Sequence, residues 1–138
     1  MQKPYNRATR ITLDIGGEGR RAGVLNLNRS RYKTLGPNRG QLIPRLIVGR
    51  AEAIPFSTGS VRRVIVERTP LNAAALVEIA RVVAPDGVVL LAHVPLPEGD
   101  RHAAALRALG GRWKRRTARI HGQLVQVTRI RVAGPREV

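Results

Sequence analysis

"SVRRVIVERTPLNAAALVEIARVVAPDGVVLLAHV", residues 60 to 94, passes from a β-branched run to an amphipathic run and then to a nearly all-apolar one. The first part, "SVRRVIVE", reads as a strand ending on Glu67. Thr69 is placed to cap a helix with Pro70 at its first position, where a missing amide proton costs nothing. The helix is predicted to run to about Val83, with Leu71, Ala75, Ile79 and Val82 on one face. "APDG" stops it, and "GVVLLAHV" has the composition of a strand buried in the middle of a parallel sheet. A strand, a helix and a second apolar strand in this order imply an α/β fold.

Towards the amino terminus, "RITLDI" is a strand, apolar up to Asp14, that runs into Gly16, Gly17 and Gly19. The next strand, "GVLNLN", follows almost at once, so the helix expected after a glycine-rich nucleotide loop has no room. "RSRYKTLGPNRGQLIPR" is a long basic loop broken by Gly and Pro, and Leu46 to Val48 forms a short third strand. Towards the carboxyl terminus, Asp100 is expected to cap a second helix that reaches about Leu109 and ends at Gly110 and Gly111. Two alternating runs around His121 and Gly122 then make an antiparallel hairpin.

The expectation is a Rossmann-like three-layer α/β sandwich in one domain, residues 1–138. Strands 11–15, 24–28, 46–48, 62–67 and 87–93 lie parallel, with 112–120 and 123–132 as a hairpin at one edge. Ligands bind such sheets beyond the carboxyl ends of the strands, where Asp14 to Gly19, Asn28, Gly49 to Glu52, Glu67 to Thr69 and His93 fall. The missing helix is expected to leave apolar surface near Ile15, Leu25 and Leu27 uncovered, which points to a homo-oligomer or a larger protein partner.

Four segments in this order, "LDIGGEG", "LNLNRS", "GRAEAIPFSTGSVRRVIVE" and "EIARVVAPDGVVLLAH", resemble the class I S-adenosylmethionine-dependent methyltransferases. The last two are the more specific, and the resemblance covers about residues 11 to 94. It implies S-adenosylmethionine as cofactor, with the methionine portion on the loop carrying Asp14, Gly16, Gly17 and Gly19. It further implies the ribose at Asn28, the adenine beside Arg50, Ala51 and Glu52, and Glu67 lining the cofactor. Arg68, Thr69 and His93 would face the substrate. Three departures stand out. Glu18 and Arg20 replace glycines, Asn28 replaces an acid, and Arg50, which cannot accept a hydrogen bond, replaces a residue that accepts one from adenine.

The chain carries 25 Lys and Arg against 9 Asp and Glu, a formal charge of +16, which attracts polyanions unspecifically. Aromatic residues make up 3%, leaving few platforms for stacking bases. The 112–119 run, with Trp113 among Arg112, Lys114, Arg115, Arg116 and Arg119, reads either as a solvated strand face or as a nucleic-acid patch. Without cysteine there are no disulfides or thiolate metal sites, and no metal-ligand spacing joins the three histidines and the acids. The start lacks a signal-peptide core, no run suits a membrane span, and the expected location is cytoplasmic. His93 reads as a buried structural histidine more readily than as a base, and His102 and His121 as exposed.

Two functional readings follow. One is methyl transfer from S-adenosylmethionine to an unidentified acceptor, with anionic and nucleic-acid acceptors favoured by the charge. The other is a catalytically inactive methyltransferase-like binding module, on its own or within a larger effector protein. No catalytic residue is assigned.

Overall fold

The structure is a computed structural model that describes residues 10–134. One sheet holds β1 (Ile11–Ile15), β2 (Leu25–Asn28), β3 (Leu46–Val48), β4 (Val61–Glu67), β5 (Val83–His93), β6 (Arg112–Ile120) and β7 (Gln123–Arg131). Their order across the sheet is β3-β2-β1-β4-β5-β7-β6. The first five are parallel, and β7 joins β5 antiparallel with β6 outside it. The chain order reverses between β1 and β4, which places the switch point of the sheet between Ile15 and Glu67. The Rossmann-like architecture with a closing hairpin is therefore present, with strand limits close to those read from the sequence.

The two helices, α1 (Ala73–Val82) and α2 (Ala103–Leu109), both lie on one face. Ala75, Leu76, Ile79 and Val82 of α1 and Ala105 and Leu109 of α2 share one core with Leu13, Ile15, Leu27, Val64, Val66, Val89, Leu91 and Ile130. The opposite layer is built from loops, since among the described residues no helix follows β1 or β2. On that face Asp14 and Asn26 are buried, 0% and 1% exposed, near the loops on either side of β2. A smaller apolar cluster, Ala92, Val125 and Val127, sits on the same face towards the hairpin tip.

This placement overturns the expected apolar surface near Ile15, Leu25 and Leu27. Ile15 is 2% and Leu27 1% exposed, packed in the core that α1 covers. A strand alternates its faces, so removing the helix after β1 uncovers the positions of Asp14 and Asn26, not those of Ile15 and Leu27. Ile15 and Leu27 therefore need no second chain to cover them.

Two helix starts also differ from expectation. Asn72, not Thr69, caps α1, its Oδ1 accepting from the Ala75 N–H at 2.8 Å. The Thr69 hydroxyl instead donates to the Ile15 carbonyl at 3.2 Å, joining the ends of β1 and β4. The last residue of α1 is followed directly by β5, so "APDG" lies inside the strand as an irregularity, with Asp86 at φ 62°. Asp100 stabilises the turn before α2, its Oδ1 accepting from the His102 N–H at 2.9 Å, and the helix begins at Ala103. No helix among the described residues is long and apolar enough to cross a membrane.

Candidate functional site

The loop after β1 is held from several sides. The Gly16 N–H donates to Leu27 O at 2.7 Å and the Gly17 N–H to Asp14 O at 3.1 Å. Gly16 has φ 73°, and a side chain there would strike the Thr69 side chain. A Cβ at Gly17 would strike Asn26 Oδ1 and the Asp14 side chain, so both glycines are required for packing whatever the loop binds. Asn28 donates from Nδ2 to Gly17 O at 3.0 Å and accepts at Oδ1 from the Ser30 N–H at 2.9 Å.

Glu18, which departs from the family pattern, has its own structural task. Its carboxylate accepts from the Thr34 N–H, the Thr34 hydroxyl and the Leu35 N–H, and so ties the basic loop 29–45 to the glycine loop. Across the cleft, Arg81 of α1 donates to Ile54 O and Phe56 O while paired with Glu78 at 2.7 Å. The carboxylate of Glu78 in turn accepts from the Ile54 N–H. Together Glu78 and Arg81 fix the "AEAIPF" turn after β3. Their roles depend on contacts between residues far apart in the chain, which composition and spacing do not reveal.

A cleft of about 270 Å³ opens between these elements. It brings together Gly16, Asn28, Arg50, Ala51, Glu52 and Thr69 of the expected site. Glu52 is exposed, and its hydrogen bond from Asn72 Nδ2 at 2.7 Å holds its carboxyl below the usual range. A second cleft, about 500 Å³, lies on the other side of the glycine loop, with Gly19, Arg20, Lys33, Arg68 and His121 among its lining residues.

Asp14 and Glu67 line neither cleft. Both carboxylates are buried, at 0% and 4% exposure, beneath Arg20 and Arg21. Arg21 donates to Glu67 Oε1 at 2.9 Å, and each arginine brings a nitrogen to 3.6 Å of Asp14 Oδ2. Neither oxygen of Asp14 has a hydrogen-bond partner. Burial raises the Asp14 pKa above its ordinary value, and the two guanidiniums only partly offset this.

His93 does not face a substrate. It is 2% exposed and joins a buried chain with His102 and Thr128. His93 Nε2 lies 2.7 Å from Thr69 O, His93 Nδ1 lies 2.9 Å from His102 Nε2, and His102 Nδ1 lies 2.7 Å from Thr128 Oγ1. Arg115 Nε donates to the same hydroxyl at 3.0 Å. A carbonyl only accepts, so His93 must carry its proton on Nε2. Its Nδ1 then accepts from His102 Nε2–H, and His102 Nδ1 accepts from the Thr128 hydroxyl. Two neutral imidazoles satisfy every partner. His102 is thus fully buried rather than exposed, and desolvation lowers its pKa to about 4, with His93 displaced in the same direction. His121 is exposed at the hairpin turn, as expected.

No protein-family model and no curated protein sequence matches the chain. Solved structures do. A Thermotoga maritima S-adenosylmethionine-dependent methyltransferase, described as a possible histamine N-methyltransferase, superposes with TM-score 0.66 at 16% identity, over 88% of this chain and 81% of its own. The fold is that of the class I methyltransferases. A 16S rRNA (adenine(1408)-N(1))-methyltransferase from Catenulisporales acidiphilia gives TM-score 0.63 at 16% identity, over 96% of this chain and 92% of its own. A form of that enzyme has been solved with the cosubstrate bound. A methyltransferase from Methanosarcina mazei gives TM-score 0.61 at 11% identity, over 97% and 99% of the two chains. In this methyltransferase-like fold the cleft at Gly16, Asn28 and Ala51 lies at the switch-point edge of the sheet.

Proposed function

We propose that the chain binds S-adenosylmethionine at this edge and directs its methyl group to an anionic acceptor. The observation that carries the reading is the convergence of Gly16, Asn28, Arg50, Ala51, Glu52 and Thr69 on one cleft at the ends of β1 to β4. The cleft, about 270 Å³, is slightly below the ~300 Å³ at which small-molecule pockets begin, a size suited to a nucleoside portion more than to the whole cofactor. Asn28 and Glu52 would hold the nucleoside. The amino-acid end of the cofactor would lie against the backbone of Gly16, since Asp14 is fully buried beneath Arg20 and Arg21 and lines neither cleft. Bound there, the cofactor supplies an electrophilic methyl group on a sulfonium. The protein's contribution is proximity and alignment, and no dedicated base is needed for that. Lys33, Arg68 and His121 around the neighbouring cleft would receive the negative charge of the acceptor.

One observation favours the alternative, a binding module without catalysis: Arg20 and Arg21 already occupy the carboxylates of Asp14 and Glu67. Calorimetric titration with S-adenosylmethionine discriminates between the two. Binding with a Kd at or below about 1 mM, some −4 kcal/mol, is expected, and its absence at that concentration overturns the cofactor reading. Gly16→Val is expected to abolish binding, because the new side chain strikes Thr69 and the backbone is in a left-handed conformation.

Asn28→Asp would restore the acid usual in methyltransferases, yet it is expected to weaken binding here. The exchange removes the donor to Gly17 O and sets a carboxylate oxygen against that carbonyl, a loss of about 1–3 kcal/mol in loop stability. Tighter binding by this variant in the same titration would show that the ribose contact outweighs the loop.

A further inference from the structure

The face of the sheet without helices carries a field of cations. On β6 and β7, Arg112 stands directly opposite Arg131 and Lys114 directly opposite Arg129. Arg131 in turn pairs with Val88, and Val88 with Arg63 of β4. Directly paired residues share a face, so Arg63, Arg112, Lys114, Arg129 and Arg131 project to the same side, away from α1 and α2. Arg116, two residues on from Lys114, belongs to the same row.

None of these residues forms a salt bridge among the described residues. Like charges directly across a ladder oppose strand pairing, and this hairpin contains two such pairs in succession. The opposite face of the hairpin is composed differently. Thr128 and Ile130 are buried there, and Arg115 is neutralised by Asp100 at 3.0 Å. The charge is therefore segregated by face. Near the edge, Arg112, Trp113, Lys114, Arg129 and Arg131 line a shallow depression of about 560 Å³. Trp113 is 49% exposed and has the Arg115 guanidinium 4.9 Å from its ring centre.

We propose that this open face is a docking surface for nucleic acid, gripped by its phosphate backbone. The cations extend over the strands from β6 to β4, three strand spacings or about 14 Å. That breadth, with no acid ion-paired to these cations among the described residues, suits a polyanion and not a single small anion. Guanidiniums dominate the patch, and their planar fork matches a phosphate. Trp113 pairs with Ile130 and stacks with Arg115, so its ring belongs to the opposite face. The strand positions that carry these cations include no aromatic platform for reading bases, and the contact is to the backbone and is not sequence-selective. The proposal does not depend on methyl transfer, because the face lies away from the cofactor cleft and binding can be read without cofactor.

The test is fluorescence anisotropy of the full chain with labelled RNA and DNA duplexes of about 20 base pairs over a salt series. With about six phosphate contacts, affinity is expected to fall about 10³-fold between ~50 and ~200 mM salt. Lys114→Gln/Arg129→Gln is expected to reduce the slope of log affinity against log salt by about two. Arg39→Gln/Arg107→Gln removes the same charge from exposed positions elsewhere and should leave the slope unchanged. Thermal melts of both variants confirm folding, and relief of the Lys114–Arg129 repulsion should keep the first from melting lower. Equal slope changes in the two variants would reduce the effect to net charge and overturn the proposal. So would binding of an acidic polypeptide through Lys114 and Arg129 while neither duplex binds.

Discussion

Arg20→Ala/Arg21→Ala is expected to destabilise the protein at neutral pH by about 3–5 kcal/mol, the cost of leaving buried charge without its partner. Asp14 and Glu67 would remain beneath the surface with no counter-charge, and Asp14 already lacks a hydrogen bond to either oxygen. The loss should shrink as pH falls. The folded-state pKa of Asp14 is raised above its ordinary 3.8, so between those two values the folded chain holds more protons than the unfolded one. Stability from this group therefore falls as pH rises through that window, and removing the arginines raises its upper limit. Adding Asp14→Asn to the double variant should recover much of the loss at pH 7. Urea midpoints across the pH range measure both effects, and an unchanged midpoint at neutral pH would show that the cluster contributes nothing.

His102 produces a slope of the opposite sign. Its pKa is lowered from 6.5 to about 4, so below pH 6.5 the unfolded chain takes up a proton that the folded chain refuses. Stability is expected to decline as pH drops from 6.5 to about 4, by about 3 kcal/mol in all, and then level off. His93, displaced in the same direction, steepens the decline. His102→Leu should flatten this acid limb while lowering stability at neutral pH, because His93 Nδ1 and the Thr128 hydroxyl lose their partner. Urea midpoints between pH 7 and pH 4 test it, and an acid limb of unchanged steepness in the variant would locate the sensitivity elsewhere.

The parts of the fold set by local pattern were readable from the chain alone. Alternating and all-apolar runs marked each strand, and the amphipathic stretch before "APDG" marked α1. Long-range hydrogen bonds were hidden. Thr69 has the chemistry of a helix cap, but its hydroxyl is used on Ile15, which lies far away in sequence. His102 is buried by Thr128, again through a contact that no window of sequence contains. Arg20 and Arg21 meet Asp14 and Glu67 only when β1 and β4 lie side by side. The polar character of the helix-free face is written in the strand alternation itself. Leu13, Asp14 and Ile15 alternate, as do Leu25, Asn26, Leu27 and Asn28, and Asp14 and Asn26 lie on the side where the helix is missing.

The direct junction of α1 with β5 also bears on how the chain reaches this arrangement. β4, α1 and β5 are contiguous, their pairing needs only the closure of one short crossover, and Val82 leads into Val83 with no linker. β1 must find β4 across the whole of the two intervening strands and their loops, at a larger loop-closure cost. Residues 61–93 are therefore expected to form the folding nucleus, with the β3-β2-β1 half docking onto a preformed edge. Pulsed hydrogen exchange should find amides of Val64 and Leu90, which face each other's strands, protected before those of Leu13 and Leu27, and simultaneous protection would make assembly of the sheet a single event.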